Sequence, residues 1–319
     1  MKKVLFATTA LVATAGVAAA DVTFGGYGRF GILYNDANVG NETNVTSRFR
    51  LQIDATAESD AGVTFGARAR IQQNNTDNST TIGISDGADG IAGTADDIVT
   101  ATPAGPAGTG INGVRFFART GGFEVGVGNI FGALEFMPGM YPIDLGLTGL
   151  GYEYTAYAFN GDAYSSGGNG AAGSNGVEVM YSAGDLSVHV SASDTSNRIA
   201  AHAAYTFSGW TVAVGVQDSD DAGDTEAAFS VGGSIGIADV TLAYADNGTD
   251  GDHVVLAGRF DVGAATNVEV YVADADKFAD TSYGVDFNHS LGGGTSIRGG
   301  VASLGGGSTR ADLGVRFNF

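Results

Sequence analysis

Hydrophobic and polar residues alternate one by one through most of the chain, which is the pattern of β-strands with one apolar and one polar face. The segment 45–58 is the clearest case, because apolar residues occupy every second position and Arg48, Arg50 and Asp54 fall between them. Segments 22–34 and 63–73 repeat the alternation. Such strands exceed the usual length of about five or six residues and are long enough to cross a bilayer at a tilt.

The alternating segments and the intervals between them predict a closed barrel. Short turns and longer loops succeed one another, the arrangement of outer-membrane barrels. Closure leaves no unpaired strand edge in hydrocarbon, and sixteen strands enclose a water-filled lumen. We therefore predict an all-β fold, a transmembrane antiparallel β-barrel of sixteen strands. The strands after the first three are expected at 111–120, 122–129, 176–183, 186–194, 198–208, 210–218, 226–236, 239–246, 252–261, 266–274, 281–290, 295–303 and 309–319.

The first twenty residues have a different character. Lys2 and Lys3 precede an apolar stretch at 4–17, and Ala18–Ala20 forms a small-residue cleavage site. This order is typical of a secretory signal peptide. We predict a signal peptide at 1–20, cleaved near Ala20 during export through the periplasm, and a barrel at 21–319.

Composition excludes several classes of function. The formal net charge is −20, with 35 Asp and Glu against 15 Lys and Arg, which argues against a nucleic-acid partner. The chain has no cysteine, so disulfides and thiol chemistry are excluded.

Three segments resemble the general diffusion porins of alphaproteobacteria, the purple-bacterial type: Gly26–Asn35, Thr46–Arg50 and the final stretch from Gly292 to Phe319. The resemblance implies an outer-membrane channel for passive diffusion of ions and small hydrophilic solutes, without enzymatic activity. It also implies a homotrimer in contact with membrane lipid and lipopolysaccharide, a third loop folded into each barrel, and recognition of the C-terminal Phe319 by the barrel-assembly machinery.

In such a channel the third loop corresponds to residues 130–175, a segment without Lys or Arg. An acidic loop opposite an arginine-lined wall would form the pore constriction, because charged side chains at the narrowest point control ion passage. Alternatively, the arginines pair with Asp54 and Glu58 and only stabilise the barrel. The acidic outer loops favour weak cation selectivity. The predicted constriction residues are Arg29, Arg48, Arg50, Arg68, Arg70, Arg115, Arg119, Glu135, Asp144, Glu153 and Asp162.

The interval 74–110 contains clustered carboxylates separated by glycines, at Asp86, Asp89, Asp96 and Asp97. Hard cations such as Ca²⁺ prefer oxygen ligands, so this loop is a candidate calcium site, although the spacing is not that of an EF-hand. A solvated acidic loop is the alternative. No cofactor is required by any other feature.

Two motifs have the spacing of catalytic sequences. Gly26, Gly28 and Gly31 match a dinucleotide fingerprint, and the segment 232–236 matches a nucleophile elbow. Both lie within alternating strands, without the following helix that each site needs. An outer-membrane barrel acting as an adhesin or a hydrolase remains the alternative function.

Overall fold

The computed structural model describes residues 20–75, 80–85, 98–103, 110–166, 172–221 and 223–319. The predicted signal peptide, apart from Ala20, and the candidate calcium ligands Asp86, Asp89, Asp96 and Asp97 lie outside the described residues.

Nineteen β-strands make up the described secondary structure, together with two short 3₁₀ helices at Thr195–Asn197 and Gly248–Asp250. Among the described residues, no helix has the length and apolar character needed to cross a membrane. The strands are β1 (Asp21–Asn35), β2 (Thr43–Glu58), β3 (Thr64–Asn75), β4 (Thr80–Ser85), β5 (Ile98–Pro103), β6 (Gly110–Ile111), β7 (Arg115–Thr120), β8 (Phe123–Asn129), β9 (Asn175–Ala183), β10 (Leu186–Ser193), β11 (Ile199–Phe207), β12 (Trp210–Asp218), β13 (Glu226–Ile235), β14 (Ala238–Asp246), β15 (Asp252–Gly263), β16 (Thr266–Ala275), β17 (Ser282–Gly292), β18 (Thr295–Ser303) and β19 (Thr309–Asn318).

The strands form a closed antiparallel barrel. Apart from β4 and β5, which form a separate hairpin, the strands pair with their neighbours in chain order, and β1 closes the sheet by pairing with both β2 and β19. β6 and β7 both pair with β3 and occupy one position in the barrel, so the barrel has sixteen positions. At the seam, Gly26 and Phe319 exchange backbone hydrogen bonds of 2.9 and 3.1 Å. The predicted fold class and strand order are confirmed.

The connections separate by length as predicted. Seven tight turns lie at the end of the barrel that holds both chain termini, and the longer loops lie at the other end. The β7–β8 turn consists of Gly121 and Gly122, whose φ values of 55° and 86° belong to a left-handed region that glycine adopts without strain. One difference concerns the interval 74–110, which contains the separate hairpin β4–β5. Its strands have only six residues each and lie within a long loop, so the sequence pattern did not reveal them.

The outer surface of the barrel is apolar. Phe24, Phe30, Ile32, Val45 and Leu313 are among the large hydrophobic side chains that project outward and are more than half exposed. Lipid covers such a face in an outer-membrane barrel. Their alternation with lumenal residues explains why the mean hydropathy of the chain is only +0.08.

The described parts of the third loop, residues 130–166 and 172–174, lie inside the lumen against the wall formed by β10–β18, which we call the covered wall. Apolar loop residues such as Leu134, Met140 and Leu145 are almost completely buried there. Besides the larger Val255 and Tyr271, their partners on the covered wall are small: Ala200, Ala204, Ala213, Ala228, Ala243, Ala245, Ala257, Ala273 and Ala302. Small side chains leave space for an apolar loop, so the barrel has a core within its lumen.

Glycines extend this space to the seam of the barrel. A Cβ atom built on Gly31 or Gly314 would lie 2.8 or 2.6 Å from the side chain of Leu147, closer than real Cβ contacts. Leu147 can therefore reach the β1–β19 pair only because both positions lack a side chain.

Candidate pore constriction

Carboxylates on the inner wall fix the middle of the third loop. Asp312 on β19 accepts hydrogen bonds from the Leu147 and Thr148 N–H groups, at 2.9 and 2.7 Å, and from the Thr148 hydroxyl at 2.7 Å. Asp286 and Glu269 accept from the Gly146 and Asp144 N–H groups at 2.5 and 3.0 Å. A loop without regular structure needs such partners for its buried backbone donors.

The beginning of the loop is fixed by a buried ionic network. Glu178 on β9 accepts from the Phe131 N–H at 3.0 Å and pairs with Arg115 and His189 at 2.5 and 2.9 Å. Arg115 also pairs with Glu124 at 2.7 Å, and its side chain is only 2% exposed. The structure therefore does not place Arg115 at the constriction; this arginine holds the base of the loop.

Four of the predicted arginines lie on β1, β2 and β3, a surface that we call the arginine wall, and all have neutral partners. Arg29 donates to the carbonyl of Leu147. Arg48 donates to Asn74 and to the Tyr27 hydroxyl, the latter at 3.2 Å. The other two are Arg50, which donates to Gln72, and Arg70, which donates to Gln52 at 2.9 Å and Ser166 at 2.8 Å.

The two remaining predicted arginines differ from these four. Arg68 forms an ion pair with Asp54 at 2.6 Å, which is the stabilising alternative considered for the whole set. Arg119 is exposed beside the β7–β8 turn, near the end of the barrel that carries the termini, and its guanidinium packs 5.5 Å from the Phe117 ring. Its register partner is Thr64, the first residue of β3, so Arg119 lies away from the arginine wall.

Two of the four predicted acids border the open part of the lumen. Glu135 lines a cleft together with Arg50 and Arg70, and it accepts a hydrogen bond from the Tyr141 hydroxyl. Burial raises the pKa of Glu135 to about 7, an effect that the Tyr141 hydrogen bond partly offsets. Asp144 is exposed and pairs with Arg298 and Arg316 at 2.6 and 2.9 Å.

The other two acids attach the loop to the wall. Asp162 is buried, pairs with Arg198 at 3.0 Å and accepts from the Ser193 hydroxyl at 2.9 Å. Glu153 accepts from the Ser282 hydroxyl and from the Gly305 N–H, the latter at 2.8 Å. Neither acid faces the arginine wall.

Two groups of lumenal residues near the predicted constriction were not among those predicted. Arg298 and Arg316 lie on the lumenal faces of the last two strands, where the same alternation could have identified them. Tyr141, Tyr152 and Phe159 line the cleft from the loop side, and no periodic pattern marks them.

Comparisons with known proteins agree with this architecture. A sequence profile of the Gram-negative porin family matches residues 7–308. The porin of Fuscovulum blasticum is 33% identical over 94% of this chain and 100% of its own length, and that of Rhodobacter capsulatus is 28% identical with the same coverage. The chain belongs to the Gram-negative porin family.

Solved structures lead to the same conclusion. The structure of a triple mutant of Rhodopseudomonas blastica porin superimposes with a TM-score of 0.75 at 27% identity, covering 94% of this chain and 100% of the other. The protein is therefore an alphaproteobacterial-type porin that forms a channel in the outer membrane. The alternative roles of adhesin and hydrolase are not supported. Among the residues that the structure describes, no group of His, Cys, Asp and Glu could hold a metal ion.

Proposed function

We propose that this porin is a passive channel for small hydrophilic solutes with a preference for anions, and that its selectivity is determined at the constriction. The observation that carries the proposal is the arginine wall, where Arg29, Arg48, Arg50 and Arg70 have only neutral hydrogen-bond partners among the described residues. Their positive charges are not cancelled locally. A permeating anion would meet this excess where it passes between the arginine wall and the third loop.

The excess of positive charge remains when the other charged side chains near the constriction are counted. Arg298 and Arg316 share the single carboxylate of Asp144. Glu135 is the acid beside Arg50 and Arg70, and its raised pKa leaves it partly protonated near neutral pH. Rings of arginine favour anions in pores.

This proposal replaces the expectation of weak cation selectivity. That expectation rested on the acidic outer loops and the net charge of −20. Salt screens charges beyond about 8 Å at physiological ionic strength, so distant loop carboxylates act weakly on an ion at the constriction. Charges that line the narrow passage act at short range.

Bilayer recordings test the proposal. The purified protein should give stepwise conductance, and a KCl gradient should give a reversal potential of the sign expected for a channel more permeable to Cl⁻ than to K⁺. A reversal potential of zero, or one of the sign expected for a channel more permeable to K⁺, would refute the anion preference. Absence of any conductance would refute passive diffusion itself.

We also propose a homotrimer, contact with lipopolysaccharide, recognition of Phe319 by the barrel-assembly machinery, and signal cleavage near Ala20. Family membership supports the first three, and the A-x-A sequence supports the last. A role without catalysis follows the same family membership. Calcium binding at Asp86, Asp89, Asp96 and Asp97 remains a proposal based on the carboxylate spacing. Cross-linking of the native protein and mass determination of its mature N-terminus test the trimer and the cleavage site.

A further inference from the structure

The cleft at the constriction has two chemically different sides. Arg50 and Arg70 line one side, and Tyr141, Tyr152 and Phe159 line the other. Its volume is about 580 Å³, within the range of roughly 300–1,000 Å³ that is usual for small-molecule sites. A cleft with guanidinium groups opposite aromatic rings can accommodate a molecule that has both an anionic and an aromatic part.

Phe159 is the most unusual residue of this cleft. Its ring is 48% exposed inside a hydrated lumen, although the same loop buries most of its other apolar side chains. Its backbone has a φ of 62°, and Tyr152 has a φ of 63°. Non-glycine residues rarely adopt this left-handed conformation, and those that do tend to occur at ligand-binding sites.

Neighbouring rings hold Phe159 in place. Tyr141, Tyr152 and Tyr157 lie with ring centroids 5.9, 6.2 and 6.1 Å from that of Phe159. Tyr157 is only 1% exposed, so it forms a fixed base for the ring above it. The exposed Phe159 ring is therefore presented by packed neighbours at a defined position.

Arg50 has donor groups available on the opposite side. Its Nε donates to Gln72, and its two terminal amino groups have no partner among the described residues. Arg70 packs its guanidinium 4.7 Å from the Tyr164 ring and uses Nε and one amino group for Gln52 and Ser166. A guanidinium binds a carboxylate through parallel hydrogen bonds, and it does so more strongly than it binds a neutral acceptor.

We propose that this cleft is a binding site for small aromatic carboxylates, with the carboxylate at Arg50 and Arg70 and the ring against Phe159 and Tyr141. The proposal rests on the proposed passive channel and specifies a class of solute that the constriction retains. Aromatic rings associate at centroid distances of about 4.5–7 Å, which adds to the electrostatic attraction. Glu135 is the repulsive group in the cleft, and it opposes binding less when it is protonated.

Current block in single channels provides the test. In a KCl solution at pH 6.5, benzoate should reduce the current, whereas acetate, cyclohexanecarboxylate and uncharged benzyl alcohol at equal concentration should do so much less. We expect the half-blocking concentration of benzoate to be about threefold to tenfold lower than that of cyclohexanecarboxylate. Equal block by these two carboxylates would overturn the role of the aromatic side. Equal block by benzoate and benzyl alcohol would overturn the role of the arginines.

Variants separate the two sides of the cleft. Phe159→Ala and Phe159→Leu should raise the half-blocking concentration of benzoate about threefold to tenfold and leave that of acetate unchanged. Phe278→Ala, in the β16–β17 loop, is the matched control and should have no effect. Arg50→Gln should weaken block by benzoate and by cyclohexanecarboxylate equally, since it removes the guanidinium that would hold the carboxylate common to both.

The result also distinguishes this inference from the proposed function. A channel that conducts KCl with an anion preference but shows the same benzoate block in wild type and Phe159→Ala would overturn the aromatic-carboxylate site alone. Phe159→Ala could change the conductance itself by leaving a gap in the cleft. Phe159→Leu keeps most of the side-chain volume, so in that case its block by benzoate decides whether the aromatic ring is needed.

Discussion

The two walls of the lumen carry different kinds of side chain. The arginine wall on β1–β3 carries long, charged side chains, which the loop touches only locally, at Leu147 beside Arg29 and at Tyr164 and Ser166 beside Arg70. The covered wall on β10–β18 carries alanines, and the third loop fills the space that they leave. Both belong to one sheet with the same alternation of faces, so backbone geometry does not distinguish them. The difference is in side-chain volume.

This asymmetry places the passage to one side of the barrel axis. An apolar loop gains stability from burial against alanine and glycine, at about 25 cal/mol per Å² of apolar surface. It would bury unpaired guanidinium groups if it packed on β1–β3, which is costly. The loop therefore lies on the covered wall, and the ion pathway is left between the loop edge and the arginines.

Detaching the loop from the wall should give the largest change. Asp312→Ala removes three hydrogen bonds to a carboxylate, each worth about 1.5–3 kcal/mol when the acceptor is charged. The loop should leave the wall, single-channel conductance should rise, and proteases should cleave between residues 130 and 174. Asp312→Asn, which keeps one acceptor oxygen, should give an intermediate result. Unchanged conductance in Asp312→Ala would show that other contacts suffice to hold the loop.

Reversing one charge on the arginine wall should give the next largest effect. Arg50→Glu changes the local charge by two units, and each unit charge 4 Å from an ion changes its energy by about 1 kcal/mol even in bulk water, equivalent to about a fivefold change per unit in the permeability of that ion. The reversal potential in a KCl gradient should move toward cation preference. Arg48→Glu should act in the same direction.

Arg119→Glu is the control for that reversal, because Arg119 lies beside the β7–β8 turn. Its effect should be clearly smaller. Equal shifts in Arg50→Glu and Arg119→Glu would mean that net lumenal charge, rather than the constriction, determines selectivity.

We expect pH to change ion selectivity less than Arg50→Glu does. Burial raises the pKa of Glu135 to about 7, so this acid is neutral in mildly acidic solution and becomes negative as the pH rises through 7. Anion preference should therefore be greater at pH 5.5 than at pH 8.5. Glu135→Gln should keep the low-pH value at both. If ion selectivity still depended on pH in Glu135→Gln, another titrating group would be responsible.

The smallest effect is expected at the acid shared by Arg298 and Arg316. Asp144→Asn leaves both arginines without a carboxylate, but the Asp144 side chain is 58% exposed and solvent screens it. Anion preference should increase slightly, and thermal stability should change little, since exposed ion pairs contribute about 0–1 kcal/mol. A shift larger than that of Arg50→Glu would reverse the assignment of the dominant charges.

The strands of the barrel and their lipid-facing residues could largely be predicted from the sequence. The alternation around Phe49 and Leu51 fixed which residues of β2 face lipid, and the predicted strand limits agree with the structure to within a few residues. The hairpin β4–β5 was missed because its short strands lie within a long loop. β6 and β7 were predicted as one strand, which matches their common position beside β3.

The constriction stays a prediction, and the structure brings only some of its residues together. Arg29, Arg48, Arg50 and Arg70 follow from the polar face of early strands, and their neutral partners could not be foreseen, because each partner lies on a neighbouring strand or on the loop. Arg115 has the same alternation as these arginines, yet Glu178, 63 residues away, takes it out of the passage.

The sequence by itself determined that this protein is a lumen-enclosing barrel of sixteen positions, because a repeat of two residues is a local property that each strand expresses alone. The tertiary structure decided where the passage runs and which charges line it. Those properties depend on the register between strands and on the course of a loop without any repeat. The loop follows the alanines of the covered wall, and the uncompensated arginines lie opposite.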